Sequence, residues 1–210
     1  MKPEVKIGEW IQKAFDLYKE NFVVVFVATL IAIGLSAVSL GILAGPMMAG
    51  IFGIVYALVN KQEPKPVVGD LFKGFAFFLP AFLLMLIFGG GVMLVSLIPC
   101  LGMVIGPLLS LAVWTAIMFA IPLIVDKKMD FWPAAMESFN KVKPNFLMFL
   151  VYHLVISFLG GLGAIACVIG VIVTAPFTFI AVAVAYKDVF ADGQPVAPAP
   201  GVEAKPDVSA

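Results

Sequence analysis

Arginine is absent from this 210-residue chain; all 13 basic residues are lysines. That excludes the bidentate guanidinium clamps that hold phosphates and carboxylates. Histidine occurs once and cysteine twice, too few for a usual four-ligand metal site. Charge of either sign is scarce, at 12 % of residues, where a soluble domain carries about 25 %. The 13 acidic residues balance the lysines, so there is no basic footprint for nucleic acid. No Walker loop or GxSxG elbow occurs, and the serines and threonines of the apolar stretches have no base beside them. The expectation is a chain with no catalytic residues, no cofactor site and no metal site, and so not an enzyme.

What is abundant is apolar surface: 62 % of residues are hydrophobic and the mean hydropathy is +1.11. The first twenty residues mix Lys with Glu and Asp, unlike a cleaved signal peptide. Three stretches lack any Asp, Glu, Lys or Arg: 40 residues between Glu20 and Lys61, 52 between Lys73 and Asp126, and 43 between Lys143 and Lys187. A spanning helix needs about 20 apolar residues, so each gap holds two spans and a turn. Turn residues sit near each midpoint: Ser39 to Gly41 with Gly45-Pro46, Pro99 to Gly102, and Gly160 to Gly163. Backbone groups in hydrocarbon must pair internally, and these runs do not alternate as barrel strands do. The fold class expected is therefore an all-α membrane domain over residues 1–190, with spans at 22–42, 45–60, 75–98, 103–124, 146–166 and 168–186. These pair as three helical hairpins.

Even numbers of crossings separate the four charged stretches, so all the lysines fall on one side. Short Lys-bearing loops stay in the cytoplasm. Both termini are expected there, in a multi-pass protein of a bacterial inner (plasma) membrane. Residues 191–210, rich in Pro, Ala and Gly, cannot build a core and read as a disordered cytoplasmic tail.

The hairpins share a recipe. Ala14 to Phe22 reads like Ser138 to Phe146, 124 residues later, and Leu71-Phe72-Lys73 starts a looser middle copy. Each second span has a small residue before proline: Gly45-Pro46, Gly106-Pro107 and Ala175-Pro176. This suggests a threefold internal repeat over 8–62, 66–127 and 131–189, each unit opening with an amphipathic segment at the cytoplasmic interface. In the first, Ile7, Trp10, Ile11, Ala14 and Tyr18 recur at helical spacing and should lie at the headgroups. In the third, Asp130 to Pro133 supplies a helix start and an interfacial Trp132.

Few residues stand out as candidates. Gly41, Gly45, Ala49, Gly53 and Ala57 recur every four residues and predict a close helix-packing seam. Gly89-Gly90-Gly91 marks either a helix break or a kink. His153 is the one Asp, Glu, Lys, Arg or His inside a predicted span; it is either a functional group or a neutral ring bonded to a neighbour. Cys100 and Cys167 fall at the uncharged outer turns, where they would form a disulfide between hairpins on an oxidising side or remain two buried thiols. The partners expected are membrane lipids, with a membrane protein or a second copy as alternatives, and no nucleic acid.

Asn21-Phe22, Gly45-Pro46 with Gly50, Leu71 to Phe75, Ala135 to Phe139, Pro176 and Ala185 to Asp188 together form a pattern. It resembles uncharacterised bacterial six-span proteins related to the membrane domain of glycerophosphoryl diester phosphodiesterases, over about residues 5–190. The phosphodiesterase barrel and its catalytic residues have no counterpart in this sequence. The resemblance implies a membrane domain without that activity. Two functions are expected from the residues: a structural or partner-binding bundle, or a carrier or channel for a neutral or lipid-like substrate.

Overall fold

The computed structural model describes residues 5–98, 101–162 and 167–190, with the side chains of 101–104 and 167–172 outside that description. Among the described residues every regular element is a helix. The centre is the helix Ala44–Val59, α3 after α1 (Ile7–Glu20) and α2 (Phe22–Val38). It is apolar all round, as a helix surrounded by others must be, and ten of its sixteen residues are buried. It packs against α2, the 3₁₀ segment Val68–Phe77, α4 (Phe78–Leu84), α7 (Ala120–Lys127) and α10 (Cys167–Phe190). Around it run α5 (Gly90–Ser96), α6 (Leu101–Ala116), α8 (Phe131–Val142) and α9 (Phe146–Gly161).

Four helical stretches are long and apolar enough to cross a membrane: Val68–Ser96, Ile105–Lys127, Phe131–Gly161 and Val173–Phe190. The pair Ile7–Glu20 and Phe22–Val38 makes a fifth if it is one span bent by 91°. At 16 residues α3 is a shorter apolar helix, about 24 Å long at 1.5 Å per residue against a hydrocarbon core of about 30 Å. The chain thus has the helices of a multi-pass membrane protein.

The opening segments of the three hairpins differ from the expected separate interfacial helices. Only α1 stands apart, turned sharply at Asn21. Val68–Phe77 runs on into α4, and α8 runs through the turn Lys143–Asn145 into α9. Pro144 sits in the first turn of that 3₁₀ piece, where its missing N–H costs nothing. The apolar face of α1 is also not given to headgroups. Trp10 and Ala14 are fully buried, because α1 packs on α10. The Trp10 ring meets Tyr152 edge-on at 5.1 Å and stacks on Phe149 at 6.4 Å. Its indole N–H donates to Asp188 Oδ2 at 2.9 Å.

Two of the stretches long and apolar enough to cross a membrane depart from regular helix geometry. Between α4 and α5 the five residues Met85–Gly89 form a π-turn, a one-residue widening of the helix. Between α6 and α7 the helix is interrupted at residues 117–119. Ser138 on α8 repairs that interruption: its hydroxyl donates to the Ala116 carbonyl at 2.8 Å and accepts from the Phe119 N–H at 3.1 Å. One side chain thus satisfies two of the freed backbone groups, as burial demands.

The hairpin α9–α10 is tied by hydroxyls. Tyr152 donates to the Ala181 carbonyl at 2.7 Å, and Thr174 donates to the Gly160 carbonyl two turns further along. Tyr18 reaches from α1 to donate to the Val173 carbonyl, close to the interior Pro176.

Charged stretches distant in sequence meet at one end of the bundle. Lys187 Nζ donates to the Val59 carbonyl at 3.0 Å, and Tyr186 donates to Asp126 at 2.6 Å. Lys127 and Lys141 both lie over the Phe190 ring, at 5.1 and 5.5 Å. With Trp10 and Asp188, these contacts join residues from α1, α3, α7, α8 and α10.

Candidate functional site

The predicted small-residue seam on α3 divides into three parts. Gly41 is not in the helix. It has φ +87° in the turn after α2, its N–H closing that turn on the Ser36 carbonyl at 2.8 Å. Glycine is needed there for backbone conformation, not packing. Gly45 and Ala49 do form a packed face, joined by Gly50. A Cβ on Gly45 would lie 2.6 Å from the Ala81 carbonyl carbon, and one on Gly50 would lie 2.8 Å from that of Leu71. Gly74 answers from the other side, where a Cβ would stand 2.8 Å from Gly50 Cα. Here two helices touch backbone to backbone, which only glycine permits. Gly53 and Ala57 continue the face beyond this contact, and there the neighbouring helix has moved away.

The result is a cleft of about 530 Å³ at the lysine-bearing end. Its floor is Gly53, Ile54 and Ala57 of α3, with Phe77 and Val125 as apolar walls. A Cβ on Gly53 would make only ordinary contact, 4.0 Å from Val125 Cγ1. Its rim is polar, built by Gln62, Glu63, Lys65, Asp70 and Lys73. Asp70 fixes the rim. One carboxylate oxygen accepts the Val67 N–H at 2.9 Å, and the other pairs with Lys73 Nζ at 2.7 Å. The Lys73 side chain is largely exposed, so this pair orients the rim more than it stabilises the fold. A second cleft, of about 520 Å³, lies between α1 and the ends of α3 and α10, where Lys13, Lys61 and Lys187 face Asp16, Glu20 and Asp188. Its six charges cancel, and Lys187 is engaged by the Val59 carbonyl.

His153 is brought to Thr115 of α6, with Nδ1 and Oγ1 2.8 Å apart. The same hydroxyl oxygen lies 2.7 Å from the Leu111 carbonyl. A cavity of about 140 Å³ adjoins the ring. Gly89-Gly90-Gly91 does not break its helix; the π-turn ends at Gly89, where an added Cβ would lie 3.8 Å from Trp114 Cζ2, while Gly90 and Gly91 have open space beside them. The Cys100–Cys167 pairing and the tail after residue 190 lie outside the described residues.

Sequence reasoning did not find Ser138, Thr115, Asp126 or the Trp10–Asp188 bond. For three of these a signal was present: a serine, a threonine and a tryptophan set at helical spacing within apolar or amphipathic helices need a polar partner when buried. Which partner, the spacing could not say. No family model, no curated protein and no solved structure matches this chain, so the resemblance to phosphodiesterase membrane domains rests on its short motifs alone.

Proposed function

We propose that this is a six-segment integral membrane protein of a bacterial inner membrane, with both termini cytoplasmic, that acts by binding and not by catalysis, and that its ligand is a membrane lipid held in the α3 cleft. One observation carries this reading. The cleft joins an apolar floor of small residues to a rim bearing Lys65, Lys73, Glu63 and Asp70. That gradient, from apolar to zwitterionic, is the profile of a phospholipid from acyl chain to headgroup. The order of the elements also supports three related units, each an amphipathic segment followed by two apolar helices. In this reading α3 is a short span that ends at the polar turn Asn60 to Glu63 and begins after the uncharged turn Ser39 to Leu43, and the domain is of the kind that accompanies phosphodiesterase barrels without their chemistry.

A second reading, a carrier for a neutral or lipid-like substrate, is favoured by the π-turn at Met85–Gly89 and the interruption at 117–119, because discontinuous helices are frequent at transport sites. One set of samples tests both. Native mass spectrometry of the full chain from lipid nanodiscs should find one retained phospholipid, and Gly53→Leu, which fills the floor, should lower its occupancy several-fold. Equal retention by both chains contradicts the cleft assignment. Lipid flux in proteoliposomes that Gly53→Leu abolishes would replace the binding reading with the carrier.

A further inference from the structure

The cavity beside His153 is a second site, chemically unlike the cleft and independent of it. It lies at membrane depth, where both helix irregularities converge. Met85 comes from the π-turn, Met118 from the interruption, and Trp114, Ile156 and Phe179 complete much of the wall. Met85, Trp114, Met118 and Phe179 are only partly buried, so the cavity opens on the apolar side of the bundle.

The hydrogen bonding fixes what the ring presents. Thr115 Oγ1 has one proton and two close neighbours, the Leu111 carbonyl at 2.7 Å and His153 Nδ1 at 2.8 Å. The carbonyl can only accept, so it takes the hydroxyl proton. The contact to the ring is then a hydrogen bond only if Nδ1 carries the proton and donates to Thr115. In a neutral imidazole this leaves Nε2 as a bare acceptor. Among the described residues Nε2 has no protein partner, and no buried side-chain nitrogen or oxygen is left unsatisfied. Nε2 is therefore not sealed in the core but reaches the accessible space that the His153 ring lines.

A site of about 140 Å³ with apolar walls matches, in size, engineered cavities of about 150 Å³ that take up benzene. Here the wall adds the bare Nε2 acceptor of His153, beside the Trp114 indole and the Thr178 hydroxyl, which donates to the Ile156 carbonyl at 3.5 Å. We infer that this cavity binds small, uncharged aromatic molecules carrying a single hydroxyl or N–H donor, of the phenol class, entering from the hydrocarbon side with their donor directed at His153 Nε2. A lipid is far too large for the space, and a charged ligand would have no counter-ion among the lining residues.

The single histidine makes the test direct. Selectively ¹⁵N-histidine-labelled full chain in lipid nanodiscs gives signals from one ring. The free protein should show the tautomer protonated at Nδ1. Phenol should shift the Nε2 signal saturably, and phenol should bind about tenfold more tightly than benzene by competition, the preference that one hydrogen bond of about 1.4 kcal/mol confers. His153→Leu removes the acceptor while Thr115 keeps its bond to Leu111; benzene should still raise the unfolding temperature, but the preference for phenol should fall to within about twofold. Met118→Phe, which intrudes on the cavity, should abolish saturable binding of both. Protonation at Nε2 in the free protein, equal affinity for phenol and benzene, or a drift of the signal that persists in Met118→Phe and so reports partition into the bilayer, would each overturn the site.

Discussion

Gly50 and Gly74 are the residues on which the cleft depends, because their backbones touch where no side chain fits. Gly50→Ala forces a methyl group to within 2.8 Å of the Leu71 carbonyl carbon, and neither partner is a flexible side chain that could yield. Overpacking of this kind costs about 1–3 kcal/mol. Gly90→Ala and Gly91→Ala meet nothing within 4 Å, and in a helix the change from glycine stabilises by about 0.4–1 kcal/mol. Thermal unfolding in one detergent should therefore rank Gly50→Ala well below the wild type and the other two at or above it. Half of this was legible in advance. The four-residue spacing of Gly41, Gly45, Ala49, Gly53 and Ala57 pointed to a face of α3, and the last four share one, since side chains repeat on a helix face regardless of what they touch. Spacing could not distinguish a glycine that admits a neighbour, Gly45, from one that leaves a space, Gly53. Nor could it exclude Gly41, whose place in the pattern hid its positive φ.

Helix breaks at the element scale follow proline and its partners, not glycine. The triple glycine at 89–91 offered either a break or a kink, and the helix passes through it with one widened turn. The true interruption falls at Ile117-Met118-Phe119, one turn before Pro122, which has no N–H to give the Met118 carbonyl and whose ring crowds that carbonyl. It persists because Ser138, 22 residues away from Ala116, satisfies the backbone groups it frees. Pro122 was its local signature, but the long-range exchange with Ser138 leaves none, so apolar runs revealed the helices and not the partner that holds this feature. Ser138→Ala would strand a part-buried carbonyl and a buried N–H. The expected loss is about 1–3 kcal/mol of stability, with amide exchange accelerated at residues 117–120 more than elsewhere. Uniform exchange along α6 and α7 in that variant would show that Ser138 does not hold the interruption. The amphipathic face of α1 gives a parallel lesson: periodicity located the face, but the partner that covers Trp10 is α10 and not the bilayer.

Across the whole molecule, the lysines are the strongest organising signal. Three charge-free intervals separate the charged stretches, and the folded chain brings those stretches together through Lys187 with Val59, Tyr186 with Asp126, and Lys127 and Lys141 with Phe190. The proposed six-segment arrangement puts an even number of crossings between any two of them, and so requires α3 to span in spite of its 16 residues. If α3 did not cross, the segment bearing Lys65 would lie on the face opposite to Lys13. Cysteine labelling decides this directly. In a chain with Cys100 and Cys167 replaced by alanine, single cysteines at Lys13, Lys65, Lys128 and Leu40 can be probed with a membrane-impermeant maleimide on intact and on permeabilised bacterial cells. Six segments with the lysines inside predict that Leu40→Cys reacts in intact cells, whereas Lys13→Cys, Lys65→Cys and Lys128→Cys react only after permeabilisation. Labelling of Lys65→Cys in intact cells would contradict the account.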